Sequence, residues 1–339
     1  MKDILNKLVL GRDLTAAEAE NAMAFIMSGE ATDGQIGAFL TALRMKGETV
    51  DEIASFAKVM RKFATRVQLK PALANSAVDT CGSGGDSSGT FNISTTAAFI
   101  AAGAGIHIAK HGNRSVSSKS GSADVLEKLG VKIDLGPDGV KKCVEQAGIG
   151  FMFAPQYHGA MKHVAAARKD LGIRTVFNIL GPLASPAEVK HQVYGIFDPG
   201  LTEKLAQVLK ELGSRHALVV HGDGLDELST LGKTKISELK NGKITTYDIT
   251  PAELGLKKAS MKDILGGDAV SNAKIVKEVL SGKKGAKRDI AVLNAAAAIY
   301  VGGGAEDLKK GVKLAEKSID SGKAMEKLKL LIAVSNERV

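Results

Sequence analysis

At 339 residues, with 44% hydrophobic and 24% charged side chains, the chain has the composition of an ordinary globular protein, which excludes disorder. Its length exceeds the roughly 250–300 residues at which a single core stops growing, so two unequal domains are expected. The net charge of +9 points to an acidic partner, but with no Trp and 4% aromatics the chain lacks the interleaved stacking residues of a single-strand binder, and a small polyphosphate ligand is favoured over nucleic acid.

No apolar run approaches the ~18 residues of a membrane span. Met1-Lys2-Asp3 leads into an amphipathic pattern without a secretory core, so a cytoplasmic protein without membrane partners is expected. Cys81 and Cys143 show no CxxC spacing, and reduced thiols are expected rather than a disulfide or a zinc site.

Residues 1–70 carry three capping-box patterns, Thr15 with Glu18, Thr32 with Gln35 and Thr49 with Glu52, each opening an apolar-periodic stretch. With a short first helix at Ile4, Leu5 and Leu8, and Gly29 and Gly47 at helix ends, they predict a helical domain. From residue 71 to 339, β-rich runs alternate with helical ones, which predicts an α/β domain around a mainly parallel sheet. Strands are expected up to Thr80 and at 106–109, 150–154, 193–197 and 217–220. Helices are expected at 96–104, 122–129, 140–147, 159–171 and 202–212. The segment around 160–185 is a candidate to pack on the helical domain. Residues 233–250 suggest an edge hairpin turning at Asn241-Gly242, and from Asn272 the chain is again helical. The basic run Lys283–Arg288 is expected to be a solvated loop.

The chemistry gathers at strand ends, where open parallel sheets bind ligands. Gly82, Gly84, Gly85 and Gly89 fall within eight positions, so the backbone can approach a ligand and converge its N–H groups on anionic oxygens. Two better-known loops are excluded: Ser88 precedes Gly89 and no lysine follows, against a nucleotide-hydrolase loop, and Ser87 stands where the dinucleotide fingerprint needs glycine. Asn92 to Thr95 open the next helix, whose free N–H groups also favour an anion. Lys110, His111 and Arg114, with Asn113, Ser115, Ser117 and Ser118, form a second phosphate-binding stretch. Asp226 and Glu227 suit magnesium, which keeps waters and uses one or two carboxylates plus substrate phosphates, whereas Asp223 reads as an ordinary turn residue. Arg168 lies among Ala165, Ala166 and Ala167, which leave room for an aromatic ring beside its guanidinium, and Arg pairs bidentately with carboxylates, although taken alone it reads as a surface arginine; His158 and His163 read as structural. No Ser-His-Asp, Cys-His or paired-His arrangement is evident, so catalysis must be electrostatic.

These motifs, Gly82-Ser83-Gly84-Gly85-Asp86, Asn92-Ile93-Ser94-Thr95, Lys110-His111-Gly112-Asn113-Arg114, Lys119 to Asp124, Gly172 to Thr175 with Asn178 to Pro182, and Gly224 to Glu227, resemble in order and spacing those of the anthranilate phosphoribosyltransferases of tryptophan biosynthesis. Ser83 replaces the usual threonine, and Cys81 stands where an apolar residue is common. The resemblance implies a helical domain beside a larger α/β domain in a homodimer joined through the helical parts. It also implies transfer of phosphoribosyl from phosphoribosyl pyrophosphate to the amine of anthranilate, with two magnesium ions. It assigns the phosphoribosyl pyrophosphate to Gly82, Gly85, Asp86, Thr90, Asn92, Ile93, Ser94, Thr95, Lys110, His111, Gly112, Asn113, Arg114, Ser115, Val116, Ser117, Ser118 and Ser122. Magnesium falls to Ser94, Asp226 and Glu227, anthranilate to Asn113 and Arg168, and the catalytic roles to Lys110, Asn113 and Arg168. The alternatives are a pyrimidine nucleoside phosphorylase, whose loop differs from Lys110–Asn113, and a nucleic-acid-binding relative motivated by the charge.

Overall fold

The computed structural model describes residues 1–84, 88–115 and 119–337. Four helices come first: α1 (Lys2–Val9), α2 (Ala16–Met27), α3 (Asp33–Lys46) and α4 (Val50–Phe63). All three expected capping boxes form, so each N-terminus has two of its otherwise orphaned N–H groups satisfied. Gly29 and Gly47 take positive φ as α2 and α3 end, which lets the chain reverse there.

Seven strands follow: β1 (Val78–Gly82), β2 (Ile108–Gly112), β3 (Ile149–Phe153), β4 (His191–Gly195), β5 (His216–Gly222), β6 (Thr234–Lys240) and β7 (Lys243–Ile249). They form one sheet in the order β3-β2-β1-β4-β5-β6-β7, parallel through β5 and antiparallel beyond. The expected hairpin is present, with Asn241 and Gly242 both at positive φ in its turn.

Strand boundaries differ from expectation at β1, β2, β4 and β5, the last extended to Gly222 by its pairing with Thr234, and the ladder explains them. β2 pairs with β3 from Ile108↔Ile149 to Gly112↔Phe153, so Lys110 and His111 are strand residues and not loop residues. The N–H of Ile106 instead closes the preceding helix turn on the Ala101 carbonyl. β1 continues to Gly82, and β4 lies two residues earlier than expected because it keeps register with β1, Val78↔His191 to Gly82↔Gly195. Against this, β1 meets β2 only at Val78↔Ile108.

Along β4 and β5 successive side chains serve opposite faces, as pleating requires. Val193, Leu218 and Val220 join a core with the helices Ile93–Gly103, Ala286–Val301, Leu308–Asp320 and Lys323–Asn336. Tyr194, Ala217 and Val219 join a second core, which also holds Leu205 and Leu209 of the helix Thr202–Glu211 and the apolar sides of α2, α3 and α4. Val164, Ala167, Phe177 and Leu180, from the helices Lys162–Leu171 and Phe177–Leu183, pack in this second core too. The basic run is only partly a solvated loop: the helix starts at Ala286, and Arg288 is buried with its guanidinium 2.8 Å from Asp320. No described helix is long and apolar enough to cross a membrane. Both cysteines are buried free thiols.

Candidate active site

Strand order reverses at β1, with β2 on one side and β4 on the other, and the crevice beyond the carboxyl ends of β1 and β4 is the switch point where α/β sheets bind ligands. Gly82 and Gly195 face each other there in register. A Cβ on Gly82 would lie 2.5 Å from Asp226 Oδ2, and one on Gly195 would overlap the Asp226 carbonyl. The two glycines thus let the acidic loop after β5 fold across the sheet end. Once there, Asp226 Oδ2 accepts the Gly84 N–H at 2.8 Å and Glu227 Oε1 accepts the Ser94 N–H at 3.1 Å.

Asn92 is the N-cap of the helix Ile93–Gly103, but its side chain does not cap that helix. It is held from outside: Oδ1 accepts from Ser120 Oγ at 3.2 Å and from Asn272 Nδ2 at 2.9 Å, while Nδ2 donates to the Ser120 carbonyl. Of the first-turn N–H groups, that of Ile93 is taken by the Phe91 carbonyl at 2.7 Å and that of Ser94 by Glu227. Ile93 and Thr95 are buried. Thr90 forms a bridge to Leu265, and its hydroxyl lies 3.3 Å from that of Ser88.

Lys110 is buried on β2 and donates from Nζ to the Thr80 carbonyl and to Ser94 Oγ. Beside it Asp79 is fully buried on β1. One Asp79 carboxylate oxygen accepts the His111 N–H at 3.1 Å and the other the Cys81 thiol at 3.4 Å. Burial raises the Asp79 carboxyl to about 6, opposed chiefly by the charge of Lys110. The His111 and His158 rings lie 5.1 Å apart, and burial lowers them to about 3 and about 4, so both are neutral imidazoles at neutral pH.

The remaining expected residues are distributed less tightly. Asn113 is exposed; its Oδ1 accepts the Arg114 N–H at 2.7 Å, and its carbonyl accepts from Ser122 Oγ at 3.2 Å. Ser122 comes this close because Gly112 has no Cβ to block it. The Arg114 guanidinium is engaged by Glu127 at 2.6 Å and Asp124 at 2.9 Å, and Ser115 donates its N–H to Asp124. Arg168 is half-buried with its guanidinium 5.4 Å from the centre of the Phe177 ring, and desolvation lowers its pKa. Gly85, Asp86, Val116, Ser117 and Ser118 lie outside the described residues.

Two neighbours, Asp79 and Asn272, were not singled out from sequence, and a third, Arg174, entered only as part of a motif and with no role. Asp79 had a usable signal, a carboxylate between Val78 and the glycine turn in a strand that should be apolar. Asn272 had none, since it reaches Asn92 across 180 positions. Arg174 stacks 4.0 Å over the Phe197 ring, whose backbone N–H donates to Ser83 Oγ, so the segment carrying Arg168 also touches the glycine turn.

Among the described residues no three or more His, Cys, Asp or Glu side chains converge on one point. The available donors are the two carboxylates and the Ser94 hydroxyl. That all-oxygen, incomplete set suits magnesium sharing its shell with water and a substrate's phosphates.

Residues 2–64 match the helical bundle domain, and residues 74–325 the a/b domain, of a glycosyl transferase family. The fold and the cradle at its sheet end are thus those of a two-domain glycosyl transferase. The chain is 55% identical to an anthranilate phosphoribosyltransferase of Alkaliphilus metalliredigens over 99% of both chains. It superposes with a TM-score of 0.94 on the crystal structure of that enzyme from Thermus thermophilus, at 41% identity and covering 99% of this chain and 100% of the other. With the Saccharomyces cerevisiae enzyme, described in complex with phosphoribosyl pyrophosphate and magnesium, the TM-score is 0.89 at 31% identity, covering 98% and 97%. The chain belongs to the anthranilate phosphoribosyltransferase family, as the resemblance of its motifs implied.

Proposed function

We propose that the chain transfers the phosphoribosyl group of 5-phosphoribosyl 1-pyrophosphate to the amine of anthranilate, giving N-(5-phosphoribosyl)anthranilate and pyrophosphate. The observation that carries this is the closure of Asp226 and Glu227 onto the glycine turn and the Ile93–Gly103 helix end, beside Lys110. An arylamine is neutral at pH 7, so the nucleophile needs orientation more than deprotonation. The leaving pyrophosphate needs its developing charge stabilised, and fixed N–H groups and a buried ammonium supply that without reorganising. Gly82, Thr90, Asn92 to Thr95, Lys110 to Ser115 and Ser122 line the donor's path, with Gly85, Asp86 and Val116 to Ser118 assigned to it by motif.

Magnesium, two ions per site, would be held by Ser94, Asp226 and Glu227 and would neutralise pyrophosphate oxygens. Asn113 and Arg168 orient anthranilate, Arg168 through its carboxylate. Residues 1–70 form the dimerising domain of a homodimer, and residues 71–339 the donor-binding domain. Val9, Leu10 and Met45, apolar and largely exposed on α1, its end and α3, support that assembly. The enzyme acts in the cytoplasm.

The test is the fluorescence of anthranilate in a mixture of protein, phosphoribosyl pyrophosphate and magnesium. Its decay, dependent on all three, is the expected result. Unchanged fluorescence with protein that binds phosphoribosyl pyrophosphate would leave the donor site standing and overturn the acceptor.

A further inference from the structure

β1 and β2 are neighbours in the sheet yet share a single register pair, Val78↔Ile108, whereas β1–β4 and β2–β3 each run five. Toward their carboxyl ends the two strands are joined by side chains in place of ladder bonds. Asp79 reaches from β1 to the His111 N–H on β2 at 3.1 Å, and Lys110 reaches back from β2 to the Thr80 carbonyl and on to Ser94 Oγ at the helix end. The crossing places a fully buried carboxylate beside a buried ammonium. The charge of Lys110 acts on the buried Asp79 carboxyl and favours its ionised form.

An unpaired carboxylate is an expensive thing to bury in an apolar strand, since its hydration must be replaced. The Asp79 carboxylate is met by the His111 N–H, the weakly polar Cys81 thiol and the Thr80 backbone. Asn, Thr or Ser could satisfy the same donors without burying a charge. What the carboxylate adds at this position is a tie from β1 to β2 one residue from the Lys110 ammonium, which is itself held between β1 and the helix end.

We propose that Asp79 is a positioning residue for the transfer, acting through Lys110: it ties the carboxyl ends of β1 and β2 together and anchors the ammonium that meets the departing pyrophosphate. The proposal rests on the transferase reading for its kinetic consequence, but not for its binding consequence. Asp79 is fully buried behind Lys110, so its kinetic effect is expected to run through the ammonium.

The experiment is a double-mutant cycle between Asp79→Asn and Lys110→Met, read by kcat, by KM for each substrate and by calorimetric binding of magnesium pyrophosphate, which needs no acceptor. Asp79→Asn alone is expected to lower kcat and the affinity for pyrophosphate by about tenfold while leaving KM for anthranilate unchanged. In the Lys110→Met background the same change is expected to add less than about twofold. Independent, multiplicative losses, or wild-type behaviour of Asp79→Asn, would overturn the proposal. If Asp79→Asn fails to accumulate as folded protein, Asp79→Glu, which keeps the charge but displaces it by a methylene, is read in the same cycle against the same two outcomes. If the wild type transfers nothing to anthranilate but pyrophosphate binding still shows the coupling, the function reading fails and the positioning role stands.

Discussion

The side of the cleft proposed for the donor and the side proposed for the acceptor are built differently. On the donor side, segments far apart in sequence are locked together by short polar contacts: Gly84 with Asp226, Ser94 with Glu227, Lys110 with Thr80 and Ser94, and Asn92 with Ser120 and Asn272. On the acceptor side Asn113 is exposed, and Arg168 rests on the Phe177 ring. A transfer whose barrier lies in the departure of a highly charged group needs its electrostatics fixed in advance, whereas a neutral amine needs only to be aimed. On the proposed reading, the polar contacts concentrate where charge would develop.

The sharpest way to break this contrast is Glu227→Ala. Removing one such group is expected to cost about 3 kcal/mol, or about a hundredfold in kcat/KM for the donor, by steady-state kinetics. A loss confined to KM for anthranilate would erase the distinction between the two sides. Arg168→Ala sharpens it from the other direction: KM for anthranilate rises about tenfold, while kcat and KM for phosphoribosyl pyrophosphate stay near wild type. Equal effects on both KM values would count against the division.

A smaller effect concerns the donor side's stability. Burial raises Asp79 from the ordinary 3.8 to about 6, so the folded chain holds that proton more tightly than the unfolded chain does. Stability from this group is therefore present below the ordinary value, falls as pH rises through the window to about 6, and is flat above. The melting temperature of Asp79→Asn relative to wild type should accordingly rise by a few degrees between pH 4 and pH 6.5. A difference that does not change with pH would contradict the shift. The smallest effect is expected from Thr49→Ala, which removes the α4 cap hydrogen bond, costs about 1 kcal/mol in chemical denaturation and leaves both KM values alone.

What the sequence made legible follows the same physics. Capping boxes and the Asn241-Gly242 turn are local chemistry, and they stand where the residues put them. The glycine turn and the acid pair were recognisable because their composition is unusual for a strand end. Lys110 and His111 were taken for loop residues because polarity in a parallel strand suggests that the strand has ended. Here the ladder with β3 carries them inward, the Thr80 carbonyl takes the Lys110 ammonium, and the His111 ring lies against that of His158. Arg288 was misjudged for a related reason, since its partner Asp320 is remote in sequence. Asn272 could not have been found, because its role exists only once two distant segments meet.

The most direct measurement of the central claim is the stoichiometry of the reaction: pyrophosphate released and anthranilate consumed, followed together in one mixture with and without magnesium. The account predicts one pyrophosphate for each anthranilate, in the presence of magnesium only. Pyrophosphate released while anthranilate remains intact would contradict it, and would mean that the cradle activates the donor for some other acceptor.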